Sequence, residues 1–188
     1  LPDLLVDLVI DDQDHSADWL RDGTVSAAVT ATGRPVQGCD AVPLGTLRYA
    51  ATASPAYLAR YGRPATPKDL SSHPIVAFVS SMTGKVESWE YRQGDRLESV
   101  PLPSRVTVNT AEAMIACALA GLGMIQVPHY DVRHHLDSGR LVSVLPDAVP
   151  PPMPITLLYP HREHMTRRLE AFIDWVVPVL KDKVLGMA

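Results

Sequence analysis

Thr107–Pro128 reads TVNTAEAMIACALAGLGMIQVP, and its reading decides the fold. Thr107 and Val108 end a strand. Asn109 is placed to cap a helix, with Glu112 three positions on to complete a capping box. Ala111 to Ala120 is apolar at nearly every position, which predicts a helix buried on most sides. Gly121 and Gly123 stop it, because glycine accepts the left-handed conformation that a helix end requires. Met124 to Val127 is a short buried strand. Strand, helix and strand joined this tightly make a parallel βαβ unit. The helix N-terminus, at Asn109 and Thr110, leaves backbone N–H groups beside the carboxyl end of a strand, where open α/β sheets bind ligands.

Outward from this unit, strands and helices alternate. Before it, Leu4–Ile10 is expected to be a strand buried on both faces. Ser16 is expected to cap a short helix stopped by Gly23, and Val25–Val29 is the next strand, with Thr30 and Thr32 at its carboxyl end. Leu44–Ala53 reads as one longer strand. Ser54-Pro55 opens a helix that ends at Gly62, and Thr66-Pro67-Lys68-Asp69 repeats that start. Ile75–Val79 is a strand, and Trp89 and Tyr91 lie on another. Gly94-Asp95 turns back into Leu97–Leu102. After the central unit, Tyr130–Leu136 is a helix, Leu141–Leu145 a strand, Val149–Pro154 an extended proline run, and Ile155–Tyr159 a strand. The stripe Leu169, Phe172, Ile173, Val176 and Leu180 closes the chain as an amphipathic helix. The pattern predicts α/β lobes with mixed sheets. Crossings near Arg48–Ala53 and Val149–Pro154 divide them into lobe I, residues 1–49 with 153–188, and lobe II, residues 50–152.

Composition narrows the function. The chain has 188 residues, 46% hydrophobic and 20% charged, with 17 Lys and Arg against 21 Asp and Glu for a net charge of −4. That balance argues against a free-standing nucleic-acid module. No apolar run reaches the length of a membrane span, and LPDLLVDLVIDD is not a secretory leader. The two cysteines, Cys39 and Cys117, do not form a framework pair, consistent with a reducing compartment. The absent initiator methionine and the immediate strand suggest a fragment of a longer protein.

Several pieces, in order and spacing, resemble the effector-binding domain of LysR-type transcriptional regulators over nearly the whole chain. LGTLRYAATASPAYLARYGRPATPKDLSSHPIVAF resembles that family's crossing strand, its SPxYL helix and its DLxxH turn. ALAGLGMIQVP resembles the A-x-x-G-x-G-I-x-x-x-P signature, with Met124 in place of isoleucine. SGRLVSVLPD with the proline run and ITLLYP resembles the return segment, and FIDWV the last helix. VQGCDAVPLGTLRYAATASP looks most like the branch that senses lysine or arginine and controls basic amino-acid export.

The resemblance implies two Rossmann-like lobes, similar to type 2 periplasmic binding proteins, with a cleft between lobes that holds a small carboxylate-bearing metabolite. Binding would shift the lobes and subunits, and so the attached winged helix-turn-helix domains, which this chain lacks along with the first strand and helix of lobe I. It implies a homodimer or homotetramer, contact with DNA only through that absent domain, no membrane, no cofactor and a cytoplasmic location. The alternative with the same architecture is a solute-binding protein of a transport system.

Candidate effector residues are Thr30, Thr32, Ser80, Ser81, Asn109, Thr110, Gln126, Val127 and Pro128, all at or after the carboxyl ends of strands and mostly bearing donors suited to a carboxylate. Each also has a plain structural reading as a helix cap or loop turn. His129, Asp131, His134 and His135 do not have a recognised metal-ligand spacing: His134 and His135 are adjacent and should diverge, leaving a solvated helix face. HREH at His161–His164 is not an HExxH motif. The chain has no G-x-S-x-G elbow and no Walker loop. Cys117 reads as packing, and Trp19, Trp89 and Trp175 as core or interface. Nothing supports an enzyme.

Overall fold

Ser54 and Pro55 show how closely local chemistry is followed. The Ser54 hydroxyl accepts a hydrogen bond from Tyr57 N at 3.3 Å, and helix α2 (Pro55–Tyr61) runs from there to Gly62. The fold is taken from a computed structural model that describes residues 4–9, 15–31, 36–80, 84–161 and 165–185. The chain separates into two units, one of Leu1–Leu47 with Met153–Ala188 and one of Arg48–Pro152.

In the first unit, helix α1 (Ser16–Asp22) precedes strands β1 (Ala28–Thr30) and β2 (Cys39–Leu47). Strand β10 (Met153–Pro160) lies between them, antiparallel to both. Helix α5 (Arg167–Leu185) packs Ile173, Val176, Val177 and Leu180 against Leu44, Leu47, Ile155 and Leu157. Two expectations fail here. Residues 4–9 are not a strand, and Leu5 and Leu8 are more than four-fifths exposed. A strand needs a neighbour for its N–H and C=O groups, and no described strand pairs with this segment. Ser16 is not a cap; His15 is, with its carbonyl accepting from Asp18 N and Trp19 N at 2.9 Å and its ring stacked on Trp19.

The second unit holds β3 (Tyr49–Ala53), α2, a 3-10 turn (Pro67–Ser72), β4 (Ile75–Phe78), β5 (Trp89–Gln93), β6 (Arg96–Val100), β7 (Ser104–Val108), α3 (Ala111–Leu119), β8 (Ile125–Pro128), α4 (His129–Asp137) and β9 (Val142–Ser143). The single strand expected over Leu44–Ala53 is therefore two, broken at Arg48. β4 runs parallel to β7 and, through an Ile75–Met124 bridge, to the start of β8; β3 lies antiparallel between β8 and β9. The mixed sheet thus runs β7, β4, β8, β3, β9. The βαβ unit β7–α3–β8 is parallel as expected, with β4 inserted between its strands.

Gly123 makes that insertion possible. A Cβ there would lie 2.5 Å from Ile75 C and Val76 N, so only glycine lets the α3–β8 connection reach β4. The strand bonds follow directly, Val76 N to Met124 O at 2.9 Å and Met124 N to Pro74 O at 3.1 Å. Helix α3 departs from expectation twice. Its cap is Thr110, whose hydroxyl accepts from Ala113 N at 3.2 Å, and Asn109 lies outside the helix. Only Met114 and Ala118 are fully buried, while Ile115, Cys117 and Leu119 are half-buried against the same cluster, because only one side of a surface helix meets the sheet.

β5 and β6 form a separate hairpin turned at Gly94-Asp95, with Trp89 buried at its base. Its second anchor is Gln126. The side chain amide donates to Glu90 O at 2.8 Å while its oxygen accepts from Glu90 N at 3.3 Å, so a glutamine pairs with the hairpin as another strand would.

Candidate effector site

The parallel strands of the second unit bring their carboxyl ends to one edge. β4 ends at Phe78, followed by Ser80; β7 ends at Val108, followed by Asn109 and Thr110; β8 ends at Pro128, which opens α4. Tyr49 joins this edge because antiparallel β3 begins opposite Pro128. Glu87 joins it through its backbone N–H, which donates to Phe78 O at 2.8 Å.

Of the candidates, Ser80, Asn109, Thr110 and Pro128 lie along this edge, with Asn109 and Thr110 exposed. Thr110 both caps α3 and opens toward solvent. Gln126 spends its amide on Glu90, and Val127 is only 2% exposed in the core with Val76, Met114 and Val132, so both side chains serve the fold. Thr30 belongs to the first unit. It ends β1 and lines a cavity of about 1390 Å³ in that unit. Its buried hydroxyl has no hydrogen-bond partner among the described residues, a condition that is costly unless something fills it. Thr32 and Ser81 lie outside the described residues.

Local pattern did not single out the charged lining of this edge. Burial, then the neighbouring Glu90, holds the Glu87 carboxyl above the usual carboxylate range. Burial, then Glu112, does the same to Asp131. The Tyr49 hydroxyl is pushed up by burial and by Glu87 and Glu90; that of Tyr130 by burial and by Asp131, Glu112 and Tyr49. Four carboxylates and two phenols thus act on one another, and no cation figures in any of these shifts. Glu87, Glu90, Glu112, Tyr49 and Tyr130 come from four separate segments, so no spacing in the chain could have revealed them.

The histidines of α4 also differ from expectation. His134 and His135 do not diverge; their ring centroids are 3.7 Å apart. His135 is buried rather than solvated, its Nδ1 without a hydrogen-bond partner among the described residues, and burial, His134 and Arg140 lower its pKa. Among the described residues no group of three His, Cys, Asp or Glu side chains is placed to hold a metal. His161 Nδ1 lies 3.0 Å from Asp40 Oδ1. Of the tryptophans read as core or interface, Trp89 is in the core and Trp175 is half exposed.

Residues 1–181 match the family model described as LysR substrate binding domain. The chain belongs to the LysR substrate-binding domain family. Among relatives of this LysR domain, the uncharacterized HTH-type transcriptional regulator YhjC of Escherichia coli (strain K12) is 34% identical over 177 residues, covering 94% of this chain and 59% of that protein. The HTH-type transcriptional regulator ArgP of Aeromonas salmonicida is 36% identical over 143 residues, covering 75% and 46%. A solved structure of the C-terminal domains of a LysR family protein from Agrobacterium tumefaciens str. C58 is 34% identical with a TM-score of 0.65, covering 96% of this chain and 82% of that one. The chain spans about half the length of the curated relatives it matches. The family fold is that of type 2 periplasmic binding proteins, as the strand order of the second unit also indicates. Among the described residues no helix is long and apolar enough to cross a membrane.

Proposed function

We propose that this LysR domain is the effector-sensing part of a cytoplasmic DNA-binding transcriptional regulator, without catalysis of its own, and that its effector is a basic amino acid, lysine or arginine. The carboxylate and tyrosine edge of the second unit carries the reading. Glu87, Glu90, Glu112 and Asp131 crowd negative charge that nothing described neutralises, and Tyr49 and Tyr130 offer ring faces; an ammonium or guanidinium group is stabilised by both. The effector's carboxylate is left to Ser80, Asn109, Thr110 and the N–H groups of α3. A winged helix-turn-helix elsewhere in the regulator contacts the promoter, and effector binding biases that contact only if it binds one regulator state better than the other. The half-buried apolar side of α3 is the surface proposed to pair in a homodimer or homotetramer, which light scattering on the complete regulator would test. The relatives are named as transcriptional regulators, and so the transport solute-binding alternative is set aside.

Calorimetry with lysine, arginine and leucine tests the effector. Lysine or arginine should bind and leucine should not, with Glu87→Gln weakening binding about tenfold. Thr110→Val should weaken it further, whereas Thr110→Ser, which keeps the cap, should not. Equal binding of leucine, or unchanged affinity in Glu87→Gln, would overturn the basic amino-acid reading.

A further inference from the structure

We propose a second binding site in the Arg48–Pro152 unit, a cationic cavity that takes a small polyanion bearing phosphate or several carboxylates. The cavity measures about 670 Å³ and is walled by residues 63–68, 91–93 and 145–148. It shares no residue with the effector candidates or with the carboxylate and tyrosine edge. Its volume falls within the range of small-molecule sites, roughly 300–1,000 Å³.

Three observations favour an anion. The first is charge. Arg63, Lys68 and Arg92 line the cavity against one carboxylate, Asp147, on a chain whose net charge is −4. Among the described residues none of the three cations makes an ion pair. The second is orientation. The Arg63 guanidinium donates to Ser143 O at 2.6 Å. That bond holds the group at the cavity while leaving most of its five N–H donors for another acceptor.

The third is rigidity of the walls. Asp69 Oδ2 accepts from Ala65 N, Thr66 N and the Thr66 hydroxyl at 2.8–3.1 Å, and Pro64 and Pro67 stiffen the same loop. Tyr91 and Arg92 lie on the hairpin that Trp89 and Gln126 anchor. Leu145 has a φ of +46°, a left-handed conformation that a branched side chain adopts only where its surroundings impose it. Its carbonyl accepts from Ala148 N at 2.9 Å, closing the turn that presents Asp147. A preformed frame leaves only the Lys68 and Arg92 side chains to order on binding, since Arg63 is already tied to Ser143 O, which favours recognising a small anion over merely attracting it.

The test titrates the chain with pyrophosphate and, separately, citrate at about 150 mM salt, where surface attraction is largely screened, with calorimetry and amide chemical shifts as readouts. Saturable binding with shifts at Ala65, Thr66 and Ala148 is expected. Lys68→Gln and Arg92→Gln change exposed side chains, so folding is preserved, and each should weaken binding about tenfold; Asp147→Asn should strengthen it. Binding of pyrophosphate alone identifies a phosphate ligand and of citrate alone a polycarboxylate; either supports the site. The proposal is overturned if neither anion saturates, if the shifts fall elsewhere, or if both glutamine variants bind like the parent. Glu87→Gln should leave this binding unchanged, which keeps its outcome separate from that of the effector proposal.

Discussion

Gly123 and His73 carry stability in ways that a single substitution exposes. A Cβ at Gly123 would strike backbone atoms of Ile75 and Val76, and backbone cannot move aside as a flexible side chain can. Gly123→Ala should therefore cost about 3 kcal/mol, read as a lowered urea midpoint; a midpoint equal to the parent's would show that the sheet is not held at this contact. His73 is buried with its Nδ1 3.1 Å from the Tyr57 hydroxyl. Burial lowers its pKa and Asp69 partly opposes this. A histidine whose folded pKa lies below its unfolded value contributes stability above the unfolded pKa and loses it as pH falls through that value toward the folded one. The domain should lose stability as pH falls below about 6.5. His73→Gln should flatten that loss, although His135, whose pKa is lowered too, will keep part of it. Parallel stability curves for parent and variant would rule His73 out as the cause. Ser54 and Thr110 show how caps read from a sequence. A serine before a proline leaves one register for a helix start, and it was legible. Asn109-Thr110 offers two adjacent capping side chains, and only the path of β7 into the helix selects the second.

At the scale of elements, the β5–β6 hairpin stands outside the main sheet and depends on few tethers. Its strands and turn were legible from Trp89, Tyr91 and the Gly94-Asp95 pair, because alternation and turn residues are local. Its attachment through Gln126 was not, since that amide meets Glu90 from thirty-six positions away. Gln126→Ala should speed hydrogen exchange across Trp89–Val100 by about an order of magnitude while leaving β4 and β7 protected. Exchange equal to the parent's across the hairpin would mean that the packing of Trp89, Tyr91 and Val100 holds it without the Gln126 amide. Helix α3 gives the complementary lesson. Its apolar composition announced a helix but overstated its burial, because composition cannot say how many sides of a helix another element covers.

At the scale of the molecule, the chain enters the second unit at Arg48 and leaves it at Pro152. Two buried clusters, around Tyr57 and Met124 and around Val76 and Ile125, lie wholly within those limits. A fragment of residues 48–152 should accordingly fold alone, with dispersed amide spectra and cooperative urea unfolding; a collapsed spectrum would show that it needs the first unit. The sequence by itself determined the alternation of strands and helices, the stops at Gly23, Gly62 and Gly139 and the parallel βαβ unit, because each rests on residues near one another in the chain, and the family, because it rests on the order and spacing of such local pieces. Tertiary structure alone decided that Leu4–Val9 forms no strand, that β4 enters between β7 and β8, and that Glu87, Glu90, Tyr49 and Tyr130 converge. Pairing, burial and the summing of charges depend on distances in space, which neighbouring positions in a sequence do not encode.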